Sequence, residues 1–230
     1  QLTISGFLQH DNFRYQLGGG FRTYTEDLMT DNAGVSLNYS KQFANQSKLS
    51  IQAALTDFSN QGNTLFESRE VETSDRRASA LQEASLSVAY HFTARKNDVL
   101  KLGTQLQQYG NELDFNFSNN LADSLNRVSI TDGEATAVAA FGTYVWSPSG
   151  SPWRAELVLR MQYYQPTAKV YPEPRISGSY QLNDQWILKA GYGKNHQFPL
   201  EIITFNAQRL SGTTPLWTLA DGQRTKVLAS

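Results

Sequence analysis

The groups in this chain that could carry reaction chemistry are few and scattered. It has three histidines, His10, His91 and His196, and no cysteine. No HExxH run places two histidines on one helix face, and no histidine has a carboxylate at a spacing that suggests a triad or metal site. Without cysteine, thiolate nucleophiles, Cys-based metal sites and disulfide frameworks are all excluded. The triple glycine at Gly18 to Gly20 lacks the strand-to-helix setting of a phosphate loop, and "GYGKN" lacks the Walker lysine spacing. These glycines read instead as bends or close-approach points on a sheet; Gly191 and Gly193 share a polar face with Lys189. No enzyme activity, cofactor or metal is expected. Asn-x-Ser triplets at Asn38, Asn45 and Asn116 are short enough to arise by chance and carry no weight.

A formal net charge of -1 with no long basic run gives no electrostatic basis for binding nucleic acid. At 230 residues and 40% hydrophobic content the chain can bury a core, so it is globular or membrane-embedded. No stretch reaches the roughly 18 to 20 apolar residues of a membrane helix, and the opening "QLTISGFLQH" is no signal peptide.

The organising pattern has period two. "VSLNYSKQF" sets Val35, Leu37, Tyr39 and Phe43 against Ser36, Asn38, Ser40 and Gln42, and "KLSIQAALTDF" follows after a short connector. "ALQEASLSVAYHF", "VLKLGTQLQQY" and "WRAELVLRMQYY" repeat it; the last opposes Trp153, Ala155, Leu157, Leu159, Met161 and Tyr163 to Arg154, Glu156, Arg160 and Gln162. "GEATAVAAFGTYVW" is apolar on both faces, and its sides stay unassigned. In "EPRISGSYQLNDQWILKAGYGKNHQ" two alternating strands flank a turn expected at Asn183-Asp184.

Connections alternate in length. Short turns fall at "ANQS", "TARKND", "SPSGSP" and "ND"; between them lie polar stretches, "SNQGNTLFESREVETSDRRAS", "GNELDFNFSNNLADSLNRVSITD" and "QPTAKVYPE", which are expected to be long loops. In an antiparallel meander this puts every short turn at one rim, the arrangement of an outer-membrane barrel with tight periplasmic turns and long extracellular loops. Trp146, Trp153 and Trp186 gather at the short-turn rim, where an interfacial aromatic belt is expected. The expected fold is all-β: an antiparallel meander of about eight to ten strands forming part of a large transmembrane β-barrel, with residues 1–230 as one barrel segment and no plug or separate soluble domain. The mixed-charge run "SREVETSDRR" and the aromatic-polar run "ELDFNFSNN" are candidates for a ligand-catching rim or plain solvated surface.

The run from Tyr171 to Gly193, with Gln197 shortly after, resembles a strand pair within the barrel of TonB-dependent outer-membrane receptors: arginine and serine open the first strand, a turn and an aromatic follow, and Tyr-Gly leads toward the glutamine. The resemblance implies a plugged barrel of about twenty-two strands, embedded in outer-membrane lipid. It would import a scarce nutrient (a siderophore, cobalamin, a metal complex or an oligosaccharide) with energy from TonB delivered through the plug. A membrane sheet must close on itself, so further strands are expected partners, and the resemblance implies a plug domain as another. Two other readings share the alternation: a soluble β-sandwich binding module for glycan or protein, and a small porin-like barrel closed by the weak strand "TPLWTLADGQRTKVLAS".

Overall fold

A computed structural model describes residues 1–93, 97–119, 122–203, 215–222 and 226–229. Nine strands form a single antiparallel sheet in strict chain order: β1 Leu2–Gly19, β2 Arg22–Gln42, β3 Lys48–Glu67, β4 Glu72–Thr93, β5 Val99–Asn119, β6 Ala122–Trp146, β7 Trp153–Tyr164, β8 Lys169–Gln181 and β9 Ile187–Gly193. Among the described residues β1 and β9 each pair with one neighbour and not with each other, so the meander is a wall and not a closed barrel. It is also one sheet, where a sandwich needs two facing ones.

Strand length corrects one expectation. β2 to β6 run for 20 to 25 residues, about twice the span of a bilayer crossing. Two of the three stretches expected as long loops are in fact the upper halves of these strands. Ser59 pairs with Ala80 and Glu67 with Glu72, leaving only residues 68–71 as the turn. Likewise β5 continues to Asn119 with register shifts at Asn111/Leu113 and Phe117/Asn119. "QPTAKVYPE" is a 3₁₀ turn, Gln165–Thr167, and then strand β8 from Lys169. The reason is physical: a hairpin with polar residues on both faces satisfies its backbone through the ladder and needs no apolar alternation, so its sequence looks like a loop. Cross-strand pairs on the outside of these extensions, His10 with Asp31 and Arg14 with Asp27, show both partners in water.

The two faces differ row by row. One outward row runs Ile4, Leu37, Ala53, Leu86, Leu106, Val138, Tyr163 and Val170 across eight strands, apolar throughout. On β4 the outward set Ala84, Leu86, Val88, Tyr90 and Phe92 covers nine residues; with ordinary tilt that is roughly 23 Å of height, the size of a barrel's apolar band. The row above it carries Asp57, Gln82 and Glu134, so the band ends sharply. β6 resolves its two apolar faces: Val138, Tyr144 and Trp146 point outward, while Ala135, Ala137 and Ala139 are buried on the inner face.

Glycine lets one inner aromatic lie flat on the wall. A Cβ at Gly103 would stand 2.4 Å from the Phe141 ring and 2.6 Å from the Val88 carbonyl oxygen, so Phe141 covers Gly103 across the strand pair. Gly103→Val should therefore lower stability by about 1–3 kcal/mol through overpacking, read as the urea midpoint in detergent. Gly110→Ala, with nothing closer than 3.9 Å to its new Cβ, should leave that midpoint unchanged.

At the short-turn rim the outward tyrosines anchor the turns. Tyr90 donates to Ser47 Oγ at 2.6 Å, and Tyr144 donates to Asp98 at 2.6 Å while Asp98 also accepts from the Ser147 backbone N–H at 3.2 Å. Asp98 is buried and ties two adjacent turns together. Asp98→Ala should cost about 1–3 kcal/mol, the cost of orphaning buried donors, visible as a lower denaturant midpoint. Part of the "TARKND" turn, residues 94–96, lies outside the described residues. The β8–β9 connection is five residues, 182–186, not two: Asn183 Oδ1 accepts from the Gln185 and Trp186 N–H groups at 2.9 Å each, an Asx turn inside a wider loop.

Beyond β9 the chain folds back over the inner face. β10 His196–Gln197 pairs with β13 Leu228–Ala229, and β11 Pro199–Ile203 with β12 Pro215–Leu219. The segment expected as a weak closing strand thus splits between two small two-stranded sheets and, among the described residues, pairs with neither β1 nor β9.

Candidate transport wall on the inner face

The inner face of β4 to β8 is built from groups that alternation places there and the register aligns. Arg160 on β7 is the hub. Its guanidinium donates to Gln105 at 2.5 Å, to Gln107 at 3.3 Å and to Gln162 at 3.0 and 3.2 Å, and lies 3.4 Å from the Glu173 carboxylate. Gln162 donates to Gln107 at 3.1 Å, and Gln107 donates to Glu83 at 3.0 Å. Four strands, β4, β5, β7 and β8, thereby hold one connected set of donors and acceptors in fixed orientation, the arrangement in which buried polar groups stabilise rather than cost. Glu173 is only 3% exposed, which its double engagement permits.

Glu173 also captures the folded-back segment. It accepts the His196 backbone N–H at 2.8 Å, and His196 Nδ1 stands 3.6 Å away. Phe198 then stacks on Tyr164 with ring centroids 4.1 Å apart, and Ala220, Leu219, Ala135, Ala137 and Tyr109 complete a small apolar cluster. The inner alanines of β6 are small because this segment lies on them. Further out, the Trp217 backbone N–H donates to Ser79 Oγ at 2.9 Å and the Trp217 ring meets Phe58 edge-on. Between segment and wall remains a cavity of about 460 Å³ lined by Glu83, Gln107, Arg160, Gln162, Asn195 and Trp217, among others. That volume admits a small polar ligand. Among the described residues no group of three or more His, Cys, Asp or Glu could hold a metal ion.

The outer face carries the other half of the function. Trp146, Trp153 and Trp186 all stand exposed on it at the short-turn rim, Trp146 closing β6, Trp153 opening β7 and Trp186 preceding β9. Trp153 packs on Tyr180 with centroids 4.5 Å apart. Tyr90, Phe92, Tyr144 and Tyr192 share the outward parity of these tryptophans near the same rim. Among the described residues no helix is long and apolar enough to cross a membrane.

A profile of the family described as TonB dependent receptor-like, beta-barrel matches residues 2–225. The chain belongs to that family. Comparison with curated proteins finds no match. Membership makes this receptor wall part of an outer-membrane transport family and not of an enzyme family, and the all-β meander with its apolar outer band agrees. The resemblance seen between Tyr171 and Gly193 therefore extends over nearly the whole receptor chain. Within that strand pair, Arg175, Ser177 and Lys189 face inward and Ile176, Tyr180, Leu188 and Tyr192 outward, as the alternation required.

Proposed function

We propose that this chain is one section of the barrel wall of a TonB-dependent importer in a bacterial outer membrane, and that scarce nutrient passes along its inner face. The observation that carries the reading is the division of the wall. An apolar band of about one bilayer thickness lies outside, and a connected amide, arginine and glutamate surface lies inside, on the same nine strands. The unpaired edges of β1 and β9 would each expose N–H and C=O groups to hydrocarbon at several kcal/mol apiece, so additional strands close the barrel in the membrane. In this reading a plug fills the lumen and TonB acts on the plug, releasing cargo held by plug and wall. Cargo of the family's usual range, a siderophore, cobalamin, a metal complex or an oligosaccharide, meets the wall near Arg160.

Uptake assays in cells carrying the full receptor test this. Arg160→Ala should reduce TonB-dependent accumulation of the receptor's cargo while leaving outer-membrane levels of the receptor unchanged. Uptake equal to wild type, or uptake that persists without TonB, would sink the proposal.

A further inference from the structure

One register row on the inner face, near the short-turn rim, carries Lys48, Lys101 and Arg175 and no acid. Reading across the sheet it contains Gln42, Lys48, His91, Lys101, Thr143, Val158, Arg175 and Gly193. Three of its members, Lys48, His91 and Lys101, sit directly opposite one another on the adjacent strands β3, β4 and β5. Lys48 and Lys101 therefore stand two strand spacings apart on one face, with no acid between them.

Among the described residues no wall carboxylate stands within ion-pair distance of the row's cations. Among the described residues none of Lys48, Lys101 and Arg175 forms an ion pair. The row has no acid. In the rows on either side, Glu173 is engaged by Arg160 and by the His196 backbone, and Glu156 shares its side of the belt with Arg154 and Lys189, two rows below Arg175. The Lys101 ammonium sits 5.3 Å from the Phe141 ring, which orients it without neutralising it. Arg175 is held in place differently: its stem fills the space over Gly193, where a Cβ would come within 3.0 Å of Arg175 Cγ. Lys48 and Arg175 are exposed on this face, so the belt looks into the lumen.

We infer that this row is the docking belt for an acidic protein surface inside the lumen, near its short-turn end. The inference rests on the reading that a folded domain fills the barrel. Width selects the occupant. From Lys48 on β3 to Arg175 on β8 is five strand spacings, roughly 24 Å, whereas a pocket-sized ligand is roughly 10 Å across. A single small anion can meet one or two of these groups; a protein face carrying several Asp or Glu side chains meets all of them. Ammonium and guanidinium groups facing the lumen give such a face both attraction and register.

Carbodiimide coupling on the purified full receptor in detergent reads the contact directly, because it joins a lysine amine to a carboxylate only where the two touch. Peptides containing Lys48 and Lys101 should be found coupled to Asp- or Glu-bearing peptides from outside the barrel strands. Lys101→Arg should abolish the Lys101 link while keeping the charge. In parallel, benzoyl-phenylalanine placed at Thr143, in the same row, reports any lumen-filling domain whatever its charge. Photolinks from position 143 to such a domain without carbodiimide links from Lys48 or Lys101 would overturn the acidic belt contact while leaving the plugged-barrel reading intact. Absence of both kinds of link would overturn the two together.

Discussion

Leu86→Arg should cost the folded wall about 2–4 kcal/mol, the cost of placing a guanidinium at mid-bilayer depth on the lipid face of a barrel. Leu86 lies in the middle of the outward set on β4, flanked in its row by Ala53 and Leu106, with no polar group in that row to receive a charge. Ser87→Arg, one residue along, should cost well under 1 kcal/mol, because Ser87 faces inward between Gln52 and Gln105, where water and amides can solvate the new group. Denaturant midpoints of the full receptor refolded into lipid vesicles give both values. The difference between neighbours is the informative quantity. In a sheet with two wet faces the two substitutions would cost about the same.

Glu173→Ala should be the most damaging change on the inner wall. It removes the carboxylate beside Arg160, whose side chain is 19% exposed, and the acceptor for the His196 N–H. Stranding a largely buried guanidinium and a backbone donor together should cost about 2–3 kcal/mol. It should also free the folded-back segment locally: amides of residues 194–200 should exchange with solvent at least tenfold faster, while β4 and β5 amides keep their protection. Glu173→Gln retains an acceptor for the His196 N–H, so exchange there should stay near wild type even as the stability falls. Equal exchange in all three proteins would show that Glu173 does not hold the segment.

Much of this arrangement is legible in the sequence, and the parts that are not have physical causes. Alternation in β3, β4, β5 and β7 placed every side chain on its observed face because one face meets an apolar medium and the other a polar one. That contrast vanishes above the band, where Asp57, Gln82 and Glu134 mark its end, so the upper halves of β3 to β6 carry no period and read as loops. β6 was ambiguous for the opposite reason. Its inner Ala135 and Ala137 are apolar because Phe198 and Ala220 cover them, a contact made by residues sixty or more positions away. The Arg160 network was visible only as polar parity; that Gln105, Gln107, Gln162 and Glu173 converge on one guanidinium depends on registers across four strands. The cationic row has the same origin. Lys48, His91, Lys101 and Arg175 are dispersed in sequence and become neighbours only through pairing.

The central claim is that this sheet stands in a bilayer with one face to lipid, and β5 offers the most direct test because its two faces differ at every step. The chain has no cysteine, so single cysteines placed in this section carry a fluorophore without background from it. In the full receptor reconstituted with brominated lipids, labels at Leu102, Thr104 and Leu106 should be strongly quenched and labels at Lys101, Gln105 and Gln107 should not, giving an alternation of period two. Quenching equal at odd and even positions, or absent from both, would contradict the account.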